Sequence, residues 1–184
     1  MRVVGGKAKG RRLRGTVSPG GRPTTERVRA AIFNIIEPGQ FQGERVLDLY
    51  AGSGSLGIEA LSRGAAWADF VERDRRQCEV IQFNLESIGF AICSSVRCAD
   101  VSRSLSRLSG PYKLLLLDPP YRLLDLEELL ERVASAPGLI SSGGIAVVGH
   151  SRHVSLSSGY GPLRLTSHRR YGDNVVDFFL RDVD

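Results

Sequence analysis

The chain has 184 residues, 42% of them hydrophobic and 24% charged, with 21 glycines. That fits one folded domain plus a modest appendage and excludes the disordered, collagen-like and fibrous classes. Net charge is +5, but residues 1–30 hold nine basic side chains against Glu26 alone, so this segment carries +8 and the remainder −3. A segment of that kind either attracts a polyanion through counterion release or forms a solvated basic arm.

Read in chain order, MRVVGG and RRLRGTV flank the turn-like KAKG and predict a short hairpin. Val28, Ile32, Ile35 and Ile36 then recur at helical spacing behind Thr25, a residue suited to an N-cap, and Pro38-Gly39 marks a stop. The pattern changes at about residue 40, dividing the chain into a basic β-β-α extension (1–40) and an α/β domain (41–184). In the latter, strands are expected at RVLDLY, AWADFVE, SSVRCA, KLLLLD and GIAVVGH, with helices near 55–63, 75–88, 102–108 and 123–136. Alternating elements of this kind predict a doubly wound, mostly parallel sheet buried on both faces. PLRLTSH and NVVDFFLR, facing each other across RRYGD, predict an antiparallel hairpin at one sheet edge. Ser151 to Gly161 reads as a loop rich in Ser and Gly.

Cys78, Cys93 and Cys98 form no CxxC pair and, even with His150, His153 and His168, match no zinc spacing. Buried small hydrophobes are therefore expected, and no metal. No apolar segment follows the N-terminal charges, and the run Leu114 to Leu117 is too short to span a bilayer. A soluble cytoplasmic protein is the expectation.

Three motifs carry chemistry. The first, Asp48-Leu49-Tyr50-Ala51-Gly52-Ser53-Gly54-Ser55-Leu56-Gly57, runs from a strand end through a glycine turn into a helix. Glycines there let the backbone approach a ligand closely, and the helix start offers unpaired amides. The spacing satisfies GxGxxG, a weak signal alone, but Asp48 at the strand end suits an ammonium group better than a pyrophosphate. That points to the amino acid end of S-adenosylmethionine. The second is Glu72 in FVERD, placed to accept ribose hydroxyls, with a solvated strand end as the plainer alternative.

The third and most specific is Leu117-Asp118-Pro119-Pro120-Tyr121, directly after the most apolar strand. The two prolines fix the backbone and present an aromatic ring beside the Asp118 carboxylate and a proline carbonyl. These are parts that hold a base by stacking and accept the N–H bonds of its exocyclic amine. In a doubly wound sheet the strands ending at Asp48 and Asp118 are neighbours at the switch point, so the motifs are expected to meet there.

With these blocks in view, the chain resembles the RsmD-type methyltransferases, which act on a guanine N2 of 16S ribosomal RNA. DLYAGSGSLGIEALSRGA, FVERD, LLLLDPPY, MRVVGGKAKGRRLRG, RPTTERVRAAIFNII and RYGDNVVDFFL carry the resemblance over essentially the whole chain. It implies a Rossmann-like class I methyltransferase fold and S-adenosylmethionine as cofactor. Asp48 and Gly52 to Gly54 would hold the methionine part, Glu72 the ribose and Asp100 the adenine amino group. Tyr50, Ala51, Arg73 and Thr24 are assigned to the same cofactor site. Asp118 to Tyr121 would form the catalytic loop. Lys7, Lys9, Arg11, Arg12, Arg14 and Arg22 would grip RNA, in or around the small ribosomal subunit, with the enzyme a monomer. For Asp100 a helix-capping role is a rival, and His150 and His153 are either RNA contacts or ordinary loop residues. The family pattern has a helix after the fifth strand, whereas SRHVSLSSGYGPL shows no clear one. The alternatives are an N6-adenine methyltransferase, because DPPY serves both amines, a dinucleotide-dependent oxidoreductase, and a non-catalytic RNA-binding module.

Overall fold

The computed structural model describes residues 1–15, 25–36, 39–120, 123 and 125–183. Arg22, Thr24 and Tyr121 of the expected site lie outside the described residues. Helix α1 (Glu26–Ile35) is followed by β1 (Arg45–Leu49), α2 (Ser55–Ser62), β2 (Trp67–Glu72), α3 (Arg75–Ile88), β3 (Ser94–Cys98) and the short α4 (Val101–Ser104). Next come β4 (Tyr112–Leu117), α5 (Leu126–Ser135), β5 (Ile140–Ser151), β6 (Gly159–Tyr160), β7 (Leu163–Tyr171) and β8 (Asn174–Arg181). One eight-stranded sheet has the order β3-β2-β1-β4-β5-β8-β7-β6. The five strands from β3 to β5 are parallel, and β8, β7 and β6 continue antiparallel. This is the expected doubly wound sheet with a C-terminal hairpin, and the order reverses between β1 and β4.

Alternation along the central strands sorts side chains into two layers. Val46, Leu114, Leu116, Ile145, Val147 and Val176 pack beneath α1, α2 and α3, together with Val3, Ala8 and Leu13 of the N-terminal segment. Leu47, Leu49, Leu115, Leu117, Ala146 and Val148 face α4 and α5. Burial on both faces is why KLLLL reads as an unbroken apolar run.

Local signals set the helix ends. Thr25 Oγ1 accepts the Val28 N–H at 3.2 Å, and Asp74 Oδ1 accepts those of Arg76 (2.8 Å) and Gln77 (3.4 Å). α3 stops at Gly89, whose φ of 79° is left-handed. The N-terminal hairpin is closed by the single bridge Arg2↔Arg12 and by Val3 N–H donating to Arg11 O (3.0 Å) and Leu13 N–H to Met1 O (2.9 Å). It leans on a buried hub: Glu59 accepts the N–H groups of Val4 (2.8 Å) and Gly5 (2.7 Å), and also pairs with Arg63 (2.8 Å) and Arg29 (3.5 Å).

After β5 the chain makes a turn and the two-residue strand β6 rather than a helix, in keeping with the Ser- and Gly-rich sequence there. The cysteine expectation is only partly met. Cys78 is buried, but Cys98 is exposed because β3 is the sheet's outermost strand. Among the described residues no helix is long and apolar enough to cross a membrane, and no cluster of His, Cys, Asp and Glu is placed to hold a metal.

Candidate active site

β1, β2 and β4 end at one edge of the sheet, and this brings the three motifs together. The chain leaves β1 at Tyr50 in a left-handed conformation (φ 58°) and turns through Gly52 and Gly54, whose φ values of 55° and 76° favour glycine. α2 then begins at Gly54 without a local side-chain cap. Asp48 supplies one from the strand: it is 1% exposed and its Oδ2 accepts the Gly57 N–H at 2.8 Å. A β-carbon at Gly57 would meet the Phe70 ring at 2.4 Å and Asp48 Oδ2 at 3.1 Å, so the third glycine of the motif serves close packing.

Burial pushes the Asp48 carboxyl well above its ordinary value; the Gly57 N–H opposes this, and the fields of Asp118 and Glu72 add to it. No cationic side chain pairs with Asp48 among the described residues. A buried carboxyl in the field of two others fits a cationic ligand, and S-adenosylmethionine carries both an ammonium and a sulfonium.

Glu72 ties the loop to β2. Its Oε2 accepts the Gly52 N–H at 3.0 Å and its Oε1 the Asp74 N–H at 2.9 Å. Each oxygen keeps a second lone pair for a hydroxyl donor. Asp100 does cap α4, accepting the Arg103 N–H at 3.2 Å, which realises the rival role. It also raises the pKa of the Tyr50 phenol, on which burial acts first, so these two expected cofactor residues lie close together. Ala51 and Ser53 are buried in the loop and Arg73 is exposed beside it. Asn84 donates from Nδ2 to Ser53 O at 3.0 Å and to Arg14 O at 3.1 Å, linking the glycine loop to the N-terminal segment.

Asp118 follows β4 and is partly exposed; Pro119 is buried and Pro120 exposed. Opposite stands Gly149 on β5, where a β-carbon would lie 2.4 Å from Asp118 Oδ1. Asp118 and Gly149 line a crevice with Val28 and Ile32 of α1, Leu56, and Asn174 and Val176 of β8; its volume is about 240 Å³, open solvent included. Gly149, Asn174 and the Val28 and Ile32 face of α1 were not assigned to the site from the sequence. The glycine that ends the run IAVV was the available signal for the first.

The basic residues are dispersed. α3 runs against the strands, so its last turn lies at the edge where strands begin. There Arg11 Nη2 donates to Ser87 O at 2.5 Å and Lys7 Nζ stands 4.8 Å from the Phe90 ring centre. Lys9 and Arg12 are exposed. Arg14 lies nearer the glycine loop, its guanidinium 3.3 Å from the Phe83 ring centre. His150 is a strand residue, 3% exposed and 3.0 Å from Asp177 Oδ2, so it is not a loop contact; His153 is exposed.

The model of the family described as "Conserved hypothetical protein 95" matches residues 1–180. A relative from Bacillus subtilis, named "Putative rRNA methyltransferase YlbH", is 38% identical over 175 residues, 94% of each chain. The chain belongs to this family, the RsmD family of methyltransferases. Its member from Escherichia coli, "Ribosomal RNA small subunit methyltransferase D", is 39% identical over 130 residues, 71% of this chain and 65% of that protein. The solved structure titled "Putative methyltransferase yhhF from Escherichia coli" superimposes with a TM-score of 0.88 at 29% identity, covering 100% of this chain and 99% of the other. The fold of this RsmD-family protein is the Rossmann-like class I fold of S-adenosylmethionine-dependent methyltransferases.

Proposed function

We propose that this RsmD-family methyltransferase transfers a methyl group from S-adenosylmethionine to the exocyclic N2 amine of a guanine in 16S ribosomal RNA. The observation that carries the reading is Asp118, set against the side-chain-free Gly149 in a crevice at the sheet's switch point, with the Asp48 and Glu72 carboxylates close enough for their fields to couple. The name of the Escherichia coli relative supports the RNA as substrate.

When bound, S-adenosylmethionine supplies a methyl group activated by sulfonium. Asp48 and the Gly52 to Gly54 turn hold its methionine part, Glu72 its ribose, and Asp100 with Tyr50 the adenine end, while Ala51, Ser53 and Arg73 frame the loop. Guanine N2 is a poor nucleophile because its lone pair is delocalised into the ring. The Asp118 carboxylate and the Pro119 carbonyl accept its N–H bonds, which draws the nitrogen toward tetrahedral geometry and stabilises the charge that develops as it attacks. Pro119 and Pro120 hold these acceptors rigid, so little reorganisation remains at the moment of reaction. By the family resemblance, Tyr121 would stack on the base and Thr24 would contact the cofactor. The exposed N-terminal cations Lys7, Lys9, Arg11, Arg12 and Arg14, together with Arg22, neutralise RNA phosphates, with Arg14 the nearest of the five to the glycine loop.

The test is methyl transfer from labelled cofactor to 16S rRNA, as free transcript and as assembled small subunits, with nucleosides mapped by mass spectrometry. N2-methylguanosine at one position is expected. N6-methyladenosine as the only product overturns the reading.

A further inference from the structure

We infer that the β7–β8 hairpin is a second RNA grip, in which Arg169 holds the phosphate backbone beside the target nucleotide. The inference rests on the rRNA reading above. It begins with charge: residues 151–172 carry four arginines and no carboxylate, whereas residues 31–150 hold 11 basic and 15 acidic groups. The acidic domain therefore has a basic stretch of its own, separate from the N-terminus.

Sheet register puts part of that stretch at the catalytic edge. β5 runs parallel to β4, so its end at Ser151 shares the edge with Asp118. β8 starts there, with Asn174 opposite Ser151, and β7 ends there, with Tyr171 opposite Asn174. The Gly172-Asp173 turn thus projects from the same edge as the Asp118 loop. Arg152 is drawn in as well, donating its N–H to Asp173 O (3.0 Å) and pairing with the Asp173 carboxylate (3.1 Å).

Face matters as much as edge. Gly149 pairs with Val176, and Val176 pairs with Arg169, so a single row crosses the sheet from Asp118 through Gly149 and Val176 to Arg169. Directly paired residues share a face, and Val176 lines the crevice with Asp118. Three strand spacings place the Arg169 backbone about 14 Å from that of Asp118. A long side chain on that row reaches a phosphate flanking a base held at Asp118.

Three further features match an RNA strand. Arg169 is exposed and, unlike Arg152 and Arg164, pairs with no carboxylate among the described residues. Past Arg164 the outer edge of β7 has no strand neighbour among the described residues, because β6 pairs only with Leu163 and Arg164. Asn174, on the same face and lining the crevice, has a buried Oδ1 without a hydrogen-bond partner among the described residues, an acceptor for a donor that arrives with the substrate.

The experiment compares Arg169→Glu and Arg169→Ala with the native protein, and with Arg164→Glu at the far end of the same strand. Binding to 16S rRNA is measured from low to high salt, alongside kcat and KM for methyl transfer, S-adenosylhomocysteine affinity and melting temperature. Arg169→Glu is expected to weaken RNA binding about ten-fold and to flatten the salt dependence by roughly 0.7 to 1 in log–log slope. KM for RNA should rise with it, while cofactor affinity and melting temperature stay unchanged, and Arg164→Glu should be near native. The alanine variant should show a smaller loss in the same direction. Native RNA affinity, salt slope and KM in both Arg169 variants overturn the grip while leaving the rRNA reading intact. Failure of the native protein to methylate rRNA overturns both.

Discussion

Asp118 and Gly149 face each other across β4 and β5 so closely that a β-carbon on Gly149 would stand 2.4 Å from Asp118 Oδ1. The carboxylate occupies its position because its neighbour has no side chain. Gly149→Ala should therefore displace Asp118 and lower kcat about 100-fold, with a stability loss of only about 1–3 kcal/mol from overpacking. Steady-state kinetics beside urea unfolding will separate the two effects. Native turnover in this variant would show that the exact placement of the carboxylate is unimportant.

Asp118→Asn keeps the shape but gives up the charge proposed to stabilise the attacking amine. A fall in kcat of about 10²- to 10³-fold is expected, with S-adenosylhomocysteine affinity by calorimetry and RNA affinity little altered. A loss confined to KM would place Asp118 in binding rather than in the chemical step.

Glu59 and Arg29 are both fully buried, and Glu59 also holds the N-terminal segment through two backbone amides. Burial lowers the Arg29 pKa, and Glu59 opposes that most strongly. Removing the carboxylate strands a buried guanidinium, so Glu59→Ala should cost about 3–5 kcal/mol in denaturant unfolding. The same variant should expose residues 1–15 to limited proteolysis before the sheet.

The raised pKa of Asp48 makes a pH prediction. Between its ordinary value of 3.8 and its higher folded value, the native state binds the proton more tightly than the unfolded chain. Asp48 therefore makes stability fall as pH rises through that window, and the contribution is restored below it. A cationic ligand favours the ionised form, so cofactor binding should strengthen as pH rises through the same window and release a proton. Calorimetry in buffers of different ionisation enthalpy reads that proton directly. Asp48→Asn should abolish both dependences, and their persistence would assign them to another group.

Much of the fold was legible because the decisive signals are local. The run KLLLL, the Thr25 and Asp74 caps, the left-handed glycines and the Gly-Asp turn before NVVDFFLR each depend on residues close in sequence. The three acidic motifs were legible for a related reason: in a doubly wound sheet, strand ends meet by topology alone. What stayed hidden depends on contacts between separate elements. The cap that Asp48 gives to α2, the space that Gly149 leaves for Asp118, and the burial of His150 against Asp177 join residues 9 to 31 positions apart, on different elements.

Charge shows the division most plainly. The number of basic residues, and the placing of nine of them within the first 30 positions, can be read from the amino-acid order alone. Packing and strand register set where they stand relative to the site. Packing carries Lys7 and Arg11 to the edge where strands begin, while register carries Arg169 onto the row that ends at Asp118. The physical reason is that a parallel sheet gathers its strand ends at one edge, so nearness to the site follows strand direction and pairing rather than distance along the chain.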